Sequence, residues 1–373
     1  MPDDRSFDDP RPPTEEEWGT PLVEPRSAPD LERQFRRRLG MVSGAVPYLT
    51  PHPWLYRPFL FLADPHLTAL PHDLASAISF IIARDNSCRF CYSTYRTMLR
   101  LSNYSPSDLD TLETHFTARD FREAEEWALR FAVRLSRADR VPSALERLRS
   151  LGYSKDAIRE MAGIAVLNVA INRIGTTLSI PVREFEGMAD AWYLRPWRAL
   201  VWPVLRVSTA WRRNGAPAPP EDGADGLLAP WARILRGTPV GTVVRQITAR
   251  WLSNGDALSR ETKLLMLAVV ARGVSADELE DTLRSALRKR HQLSGEAFDD
   301  AVDHLGGPAV DEHLGPLLRF ARASIRYDFG PIKRVARDCT QGLGRRGTLE
   351  AIASISLANA LARLEVLFPL DAA

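Results

Sequence analysis

"LPHDLASAISFIIARDNSCRFCYSTYRTMLR" (residues 70–100) aligns without a gap on "LSRETKLLMLAVVARGVSADELEDTLRSALR" (residues 258–288), at an offset of 188. Leu70, Ala83, Arg84, Arg96, Leu99 and Arg100 fall on Leu258, Ala271, Arg272, Arg284, Leu287 and Arg288. Upstream, Pro51 and Arg57 meet Pro239 and Arg245 at the same offset; downstream, "LRFA" recurs at 129–132 and 318–321, and Arg173 pairs with Arg363. The identities are sparse but collinear, which reads as two copies of one supersecondary unit. The unit is helical. In "REAEEWALRFAVRLS", Ala124, Trp127, Ala128, Phe131 and Leu135 recur at a spacing of three or four, the period of one helix face. "SPSDLDTLETHF" opens with Ser105 as N-cap and Pro106 at the first helical position, and Ser154 caps "GYSKDAIREMAGIAVLNVAINRI". No segment alternates with period two. The sequence predicts an all-α fold of two tandem helical domains.

The boundaries follow from composition. Residues 1–30 hold seven prolines and nine acids against three arginines, and read as a disordered acidic tail that cannot offset its ordering entropy. Residues 31–190 form the first helical domain and 226–373 the second, a degenerate repeat. Between them, 191–225 is a Trp/Arg-rich connector and linker. Residues 191–213 carry four tryptophans, five arginines and no acid. That pattern can contact a membrane surface; a helix packed between the two domains is the favoured reading, because Pro196 and Pro203 interrupt the amphipathic face. The apolar "MAGIAVLNVAIN" (161–172) reads as a buried helix, not a membrane span. A net charge of +2 over 373 residues gives no nucleic-acid signal. Three cysteines are too few for a disulfide scaffold and point to a reducing, cytoplasmic setting.

Two of those cysteines, Cys88 and Cys91, lie in the opening stretch, spaced Cys-x-x-Cys. On a helix, positions i and i+3 share a face within reach of a disulfide. "ARDNSC" reads as a break before a new helix, with Asn86 or Ser87 as its cap, and the positive helix end would favour a thiolate at Cys88. Structural zinc needs four ligands; no second Cys pair and no His pair at ligand spacing exist, and Cys339 stands alone. Two inert buried cysteines are the plainer alternative. In the second copy the positions are Ala276 and Leu279, so that copy carries no thiols.

"NSCRFC" after the "AISFIIAR" helix, with "EMAGIAVLNVAINRIGTTLSIP" downstream, resembles the alkylhydroperoxidase D-like, or carboxymuconolactone decarboxylase, superfamily. The resemblance covers most of 45–181 and, more faintly, 239–369. It implies two tandem alkylhydroperoxidase D-like domains, self-association, and reduction of hydroperoxides by the cysteine pair with a Glu and a His as proton relay. Here the Glu position, twelve before Cys88, is Ser76, and the His position, four after Cys91, is Tyr95. An ordinary phenol is a poor base near neutrality. Asp85, His72, Asp73 and His115 are candidate substitutes for the relay, each read first as a surface residue. Asn168, Asn172 and Arg173 are polar groups on an apolar helix, read as inter-helix hydrogen bonders.

The sequence therefore points to a thiol–disulfide oxidoreductase or weak antioxidant peroxidase working through Cys88 and Cys91, with Tyr95, Ser76 and Asn86 as secondary candidates. No metal or organic cofactor is called for. A dithiol electron donor and a hydroperoxide or disulfide substrate are. The helix-end argument makes Cys88 the attacking thiol, and the family relay makes it Cys91. A non-catalytic scaffold or binding protein that kept the fold is the rival reading.

Overall fold

The computed structural model describes residues 13–39, 42–50, 52–118, 121–140, 143–182, 226–253, 257–326 and 329–368. Every regular element among these is helical. The connector at 191–225 and the first twelve residues lie outside the described residues, as does the membrane-contact reading of 191–213.

Two long helices make the centre. The first, α9 (Lys155–Leu178), is buried along almost its whole length; so is α17 (Gly344–Leu367). Each has 24 residues, about 36 Å at 1.5 Å per residue. They form the most extensive helix pair of the molecule. By length and composition α9 could cross a membrane, but here it is wholly enclosed by protein.

Around this pair the element order repeats. In the first half, α3 (Tyr56–Ala63), α4 (His72–Asp85), α5 (Arg89–Leu101), α6 (Pro106–His115), α7 (Glu123–Arg137) and α8 (Ala144–Ser150) precede α9. In the second, after α10 (Ala229–Ile234), α11 (Pro239–Trp251), α12 (Arg260–Gly273), α13 (Asp277–His291), α14 (Gly295–Asp299), α15 (Leu314–Ala323) and α16 (Phe329–Cys339) precede α17. Helices α4 and α12 each hold 14 residues, and they begin at His72 and Arg260, 188 apart. The predicted caps Ser105 and Ser154 are present, each accepting a backbone N–H of the first turn.

The halves do not have separate cores. One apolar cluster runs through both, and helices of each half pack on the long helix of the other: α11 and α16 on α9, α7 on α17. Gly163 of α9 permits the α11 contact, since a Cβ there would lie 2.3 Å from Val240 Cγ1. Arg363 ties the halves together. Its Nε donates to the Ser136 carbonyl (2.7 Å) and its Nη2 to the Ile325 carbonyl (2.8 Å). Those two residues stand 189 apart, at the ends of α7 and α15.

A buried carboxylate also recurs. Glu160 of α9 accepts the backbone N–H of Thr68, Ala69 and Leu70 and the Thr68 hydroxyl, all at 2.7–2.9 Å. Glu350 of α17 accepts the N–H of Ala257 (2.6 Å) and Leu258 (3.1 Å). Each carboxylate thus holds the chain entering α4 or α12, satisfying backbone donors that burial would otherwise strand.

The N-terminal expectation needs correction. From residue 13 to 30 the chain is packed on the core, not a loose tail. Thr14 caps a short helix, α1 (Glu15–Trp18), and Trp18 is buried, its indole N–H donating to the Ile180 carbonyl (2.9 Å). The Leu22 N–H reaches the Leu178 carbonyl (3.0 Å), and the Arg26 N–H the Pro47 carbonyl (2.8 Å). Helix α2 (Pro29–Leu39) then buries Phe35. Trp18, Val23 and Phe35 bury enough apolar surface to outweigh the proline- and acid-rich composition around them, at about 1.5–3 kcal/mol for each large side chain.

Candidate functional site

The turn between α4 and α5 builds the site. Helix α4 ends with Ser87 in the left-handed region (φ 48°). The Cys88 N–H returns to the Ala83 carbonyl and the Ser87 N–H to the Arg84 carbonyl, both at 2.9 Å. This is the paired closure of a Schellman stop. The second half makes the same turn: Ser275 has φ 58°, and the Ala276 and Ser275 N–H groups reach the Ala271 and Arg272 carbonyls.

The cap of α5 is neither Asn86 nor Ser87, contrary to the sequence reading. Cys88 itself is the N-cap, and its Sγ accepts the Cys91 N–H at 3.4 Å. Asn86 closes α4 instead. Its Nδ2 donates to the Ile82 carbonyl (2.9 Å) and to Ser136 Oγ (3.0 Å), fastening the turn to α7.

Both thiols are reduced and enclosed: Cys88 is 0% and Cys91 3% exposed. Burial alone would push Cys88 up. It is outweighed by hydrogen bonding at the sulfur, that of Cys91 foremost, which holds Cys88 below the ordinary thiol range. Cys91 goes the other way. Burial, then the adjacent Cys88 sulfur, pushes it well above that range. The environment thus sets the two thiols apart and makes Cys88 the more acidic of the pair.

Tyr95 lies fully buried one turn past Cys91. Burial above all pushes its phenol far above the ordinary value, so it keeps its proton. It is therefore not the base that the resemblance leads one to expect at this position. The Ser79 hydroxyl bears on it, and Ser79 is linked to Asn168 of α9, whose Nδ2 donates at 2.9 Å. Ser76, at the family's Glu position, is half-buried, and no hydrogen bond joins it to the thiols among the described residues. The helix register puts Ser79, one turn later, into that place. Asp85 is not a spare base either; Arg137 Nε holds it at 2.7 Å. Arg84 is bound to Glu113. Cys339 sits apart on α16, half-buried. Among the described residues, no group of three or more His, Cys, Asp or Glu side chains converges to hold a metal ion.

The floor of the site is the last turn of α9. A Cβ at Gly175 would lie 3.1 Å from Cys88 Sγ and 3.9 Å from Cys91 Sγ. The second half solves the same space differently. Counting from the Arg173–Arg363 pair, Glu365 stands where Gly175 stands. With Ala276 in place of the first cysteine, the Glu365 carboxylate fills the gap, accepting the Glu278 N–H (2.9 Å) at the start of α13 and the Trp231 indole N–H (2.7 Å). The start of α5 is served by sulfur and that of α13 by a carboxylate.

The N-terminal segment runs beside the thiols. Arg89, between the two cysteines, donates to the Pro13 carbonyl (3.4 Å) and faces Glu15 (3.8 Å). Lys333 of α16 holds the Trp18 carbonyl from the other side. Deleting residues 1–26 is expected to speed alkylation of Cys88 severalfold, since it removes the segment that Arg89 holds beside the pair. An unchanged rate, measured by peptide mass spectrometry on a folded truncation, would show that access lies elsewhere.

No protein-family model, curated protein or solved structure matches this chain.

Proposed function

We propose that this chain is a thiol–disulfide oxidoreductase that reduces hydroperoxides with Cys88 as nucleophile and Cys91 as resolving thiol. The observation that carries the reading is the Cys88 sulfur itself. It stands at a helix N-cap, accepts the Cys91 N–H, and has its thiol held below the ordinary range despite complete burial. On this reading the chain is an alkylhydroperoxidase D-like protein whose relay has been replaced, and the attacking thiol is the first of the pair.

The Cys88 thiolate attacks the distal oxygen of the hydroperoxide. The O–O bond breaks, Cys88 becomes a sulfenic acid, and the alkoxide leaves as the alcohol after taking one proton. The Tyr95 phenol, one turn past Cys91, keeps its proton and is the candidate donor of it. Cys91 then attacks the Cys88 sulfur. The S–S bond forms, the S–O bond breaks, and the Cys91 proton departs with the hydroxyl as water. A dithiol donor restores the pair by exchange, itself becoming a disulfide.

The test is hydroperoxide consumption with a small dithiol as reductant, together with mass spectrometry of the 88–91 peptide. We expect one intramolecular disulfide per turnover. Alkylation of Cys88 should rise with pH and level off below the ordinary thiol value of about 8.5, while Cys91 stays unmodified through that range. Two thiols inert to peroxide and to alkylation below that value would sink the reading. They would favour the second one, a scaffold that kept the fold, which the near-complete enclosure of both sulfurs supports.

A further inference from the structure

Helices α5 and α13 begin in opposite ways. The first turn of α13 carries Asp277, Glu278 and Glu280, acids that suit the positive end of a helix, and Glu365 accepts the Glu278 N–H. The first turn of α5 carries no acid. Its first residue is Arg89, a cation set against the helix dipole, and its cap is the Cys88 sulfur. What Arg89 holds accounts for its place: the Pro13 carbonyl (3.4 Å) and the Glu15 carboxylate (3.8 Å) of the N-terminal segment. The same segment is fastened to the other wall of the site. Trp18 donates its indole N–H to the Ile180 carbonyl, and Leu22 its backbone N–H to the Leu178 carbonyl. The Ile180 N–H in turn closes α9 on the Gly175 carbonyl (3.1 Å), and Gly175 is the residue beside both sulfurs. Residues 13–22 thus join the start of α5 to the end of α9, the two elements that enclose the pair.

We infer that residues 13–22 are a redox-coupled strap, held against the site while Cys88 and Cys91 are reduced and released when they join as a disulfide, with Arg89 as the coupling residue. The inference rests on the thiol chemistry proposed above and adds its regulation. In forming the S–S bond the two thiols give up two protons and two electrons, which in turnover convert the hydroperoxide to alcohol and water. Cys88 Sγ then turns from the Cys91 N–H to the Cys91 sulfur, and α5 loses its cap. With no acid in the first turn to take over, that turn frays, and Arg89 lets go of Pro13 and Glu15. An order of events follows. A small hydroperoxide enters while the strap is closed, and the larger dithiol donor reaches the pair only once there is a disulfide to reduce.

The experiment is hydrogen exchange of the full chain, read by mass spectrometry on peptides covering residues 13–22, in the reduced form and after oxidation by diamide. The azo bond of diamide takes up the two electrons and two protons whether or not the protein turns over peroxide. The N–H groups of Trp18, Gly19 and Leu22 are hydrogen-bonded in the closed form. They should exchange at least tenfold faster in the oxidised form, while peptides of α9 stay unchanged. Cys91→Ser, which cannot form the bond, should show no response to diamide, and reduced Arg89→Ala should already exchange near the oxidised rate. Equal exchange in the two forms of wild type, with the 88–91 disulfide confirmed, overturns the strap and leaves the thiol chemistry standing. An Arg89→Ala protein that keeps the full redox response overturns Arg89 as the link. A pair that diamide joins, with the strap released, but that hydroperoxide leaves reduced supports the strap and overturns the peroxidase reading. A pair that diamide cannot join overturns both.

Discussion

Cys88→Ser is expected to lower hydroperoxide consumption to background while leaving the fold intact. Serine is among the best N-cap residues, and its Oγ can accept the Cys91 N–H that the sulfur accepts now. Stability should therefore stay within about 1 kcal/mol of wild type, so that any lost activity is chemical. Cys91→Ser should behave differently. It keeps the nucleophile and removes the resolving thiol, so one equivalent of peroxide is consumed and a Cys88 sulfenic acid accumulates, detectable with a 1,3-dicarbonyl trap. If Cys91→Ser is the silent variant and Cys88→Ser traps the sulfenic acid, the roles are reversed and the family relay pointed to the right thiol.

The second large effect concerns stability. Lys263 and Glu350 form an ion pair at 2.6 Å, with side chains 1% and 0% exposed. The Lys263 ammonium also donates to the Trp251 carbonyl (2.8 Å), and Glu350 caps the backbone entering α12. Lys263→Met removes one partner and leaves a carboxylate in a dry core. The expected loss is about 3–5 kcal/mol, a large part of the roughly 5–15 kcal/mol that holds a domain together. Urea denaturation would show it as a lower midpoint at unchanged slope. Adding Glu350→Gln should recover part of the loss by removing the stranded charge. A single variant with an unchanged midpoint would mean that the pair contributes nothing.

The fold was legible in the sequence wherever spacing alone decides structure. The helical class, the caps Ser105 and Ser154, and the burial of "MAGIAVLNVAIN" all depend on neighbours within a turn or on a helix-length pattern. The site was half legible. Cys-x-x-Cys announced itself, but a sulfur serving as its own helix cap did not, because the usual cap signals are hydroxyls and carboxylates. Ser76 was chosen by counting twelve residues back from Cys88, whereas the register of α4 brings Ser79 to Tyr95. The N-terminal segment was misjudged because average composition outvoted Trp18 and Val23, two large side chains that decide its energy. Gly175 could not be found by spacing. Its only local signal was a glycine in an apolar helix, and nothing there names a cysteine 87 residues away.

The use of sulfur at the start of α5 and of a carboxylate at the start of α13 makes the two places hard to interchange. A thiol placed at position 276 by one substitution would meet the Glu365 carboxylate, which already occupies the space and caps α13. Removing Glu365 first strips that cap and leaves the Trp231 indole N–H without its acceptor. Even the simultaneous pair, which could put a sulfur at the start of α13, leaves the Trp231 indole N–H without its acceptor. Position 276 is thus guarded against a cysteine by contacts that have nothing to do with sulfur: the hold on the start of α13 and the partner of a buried indole.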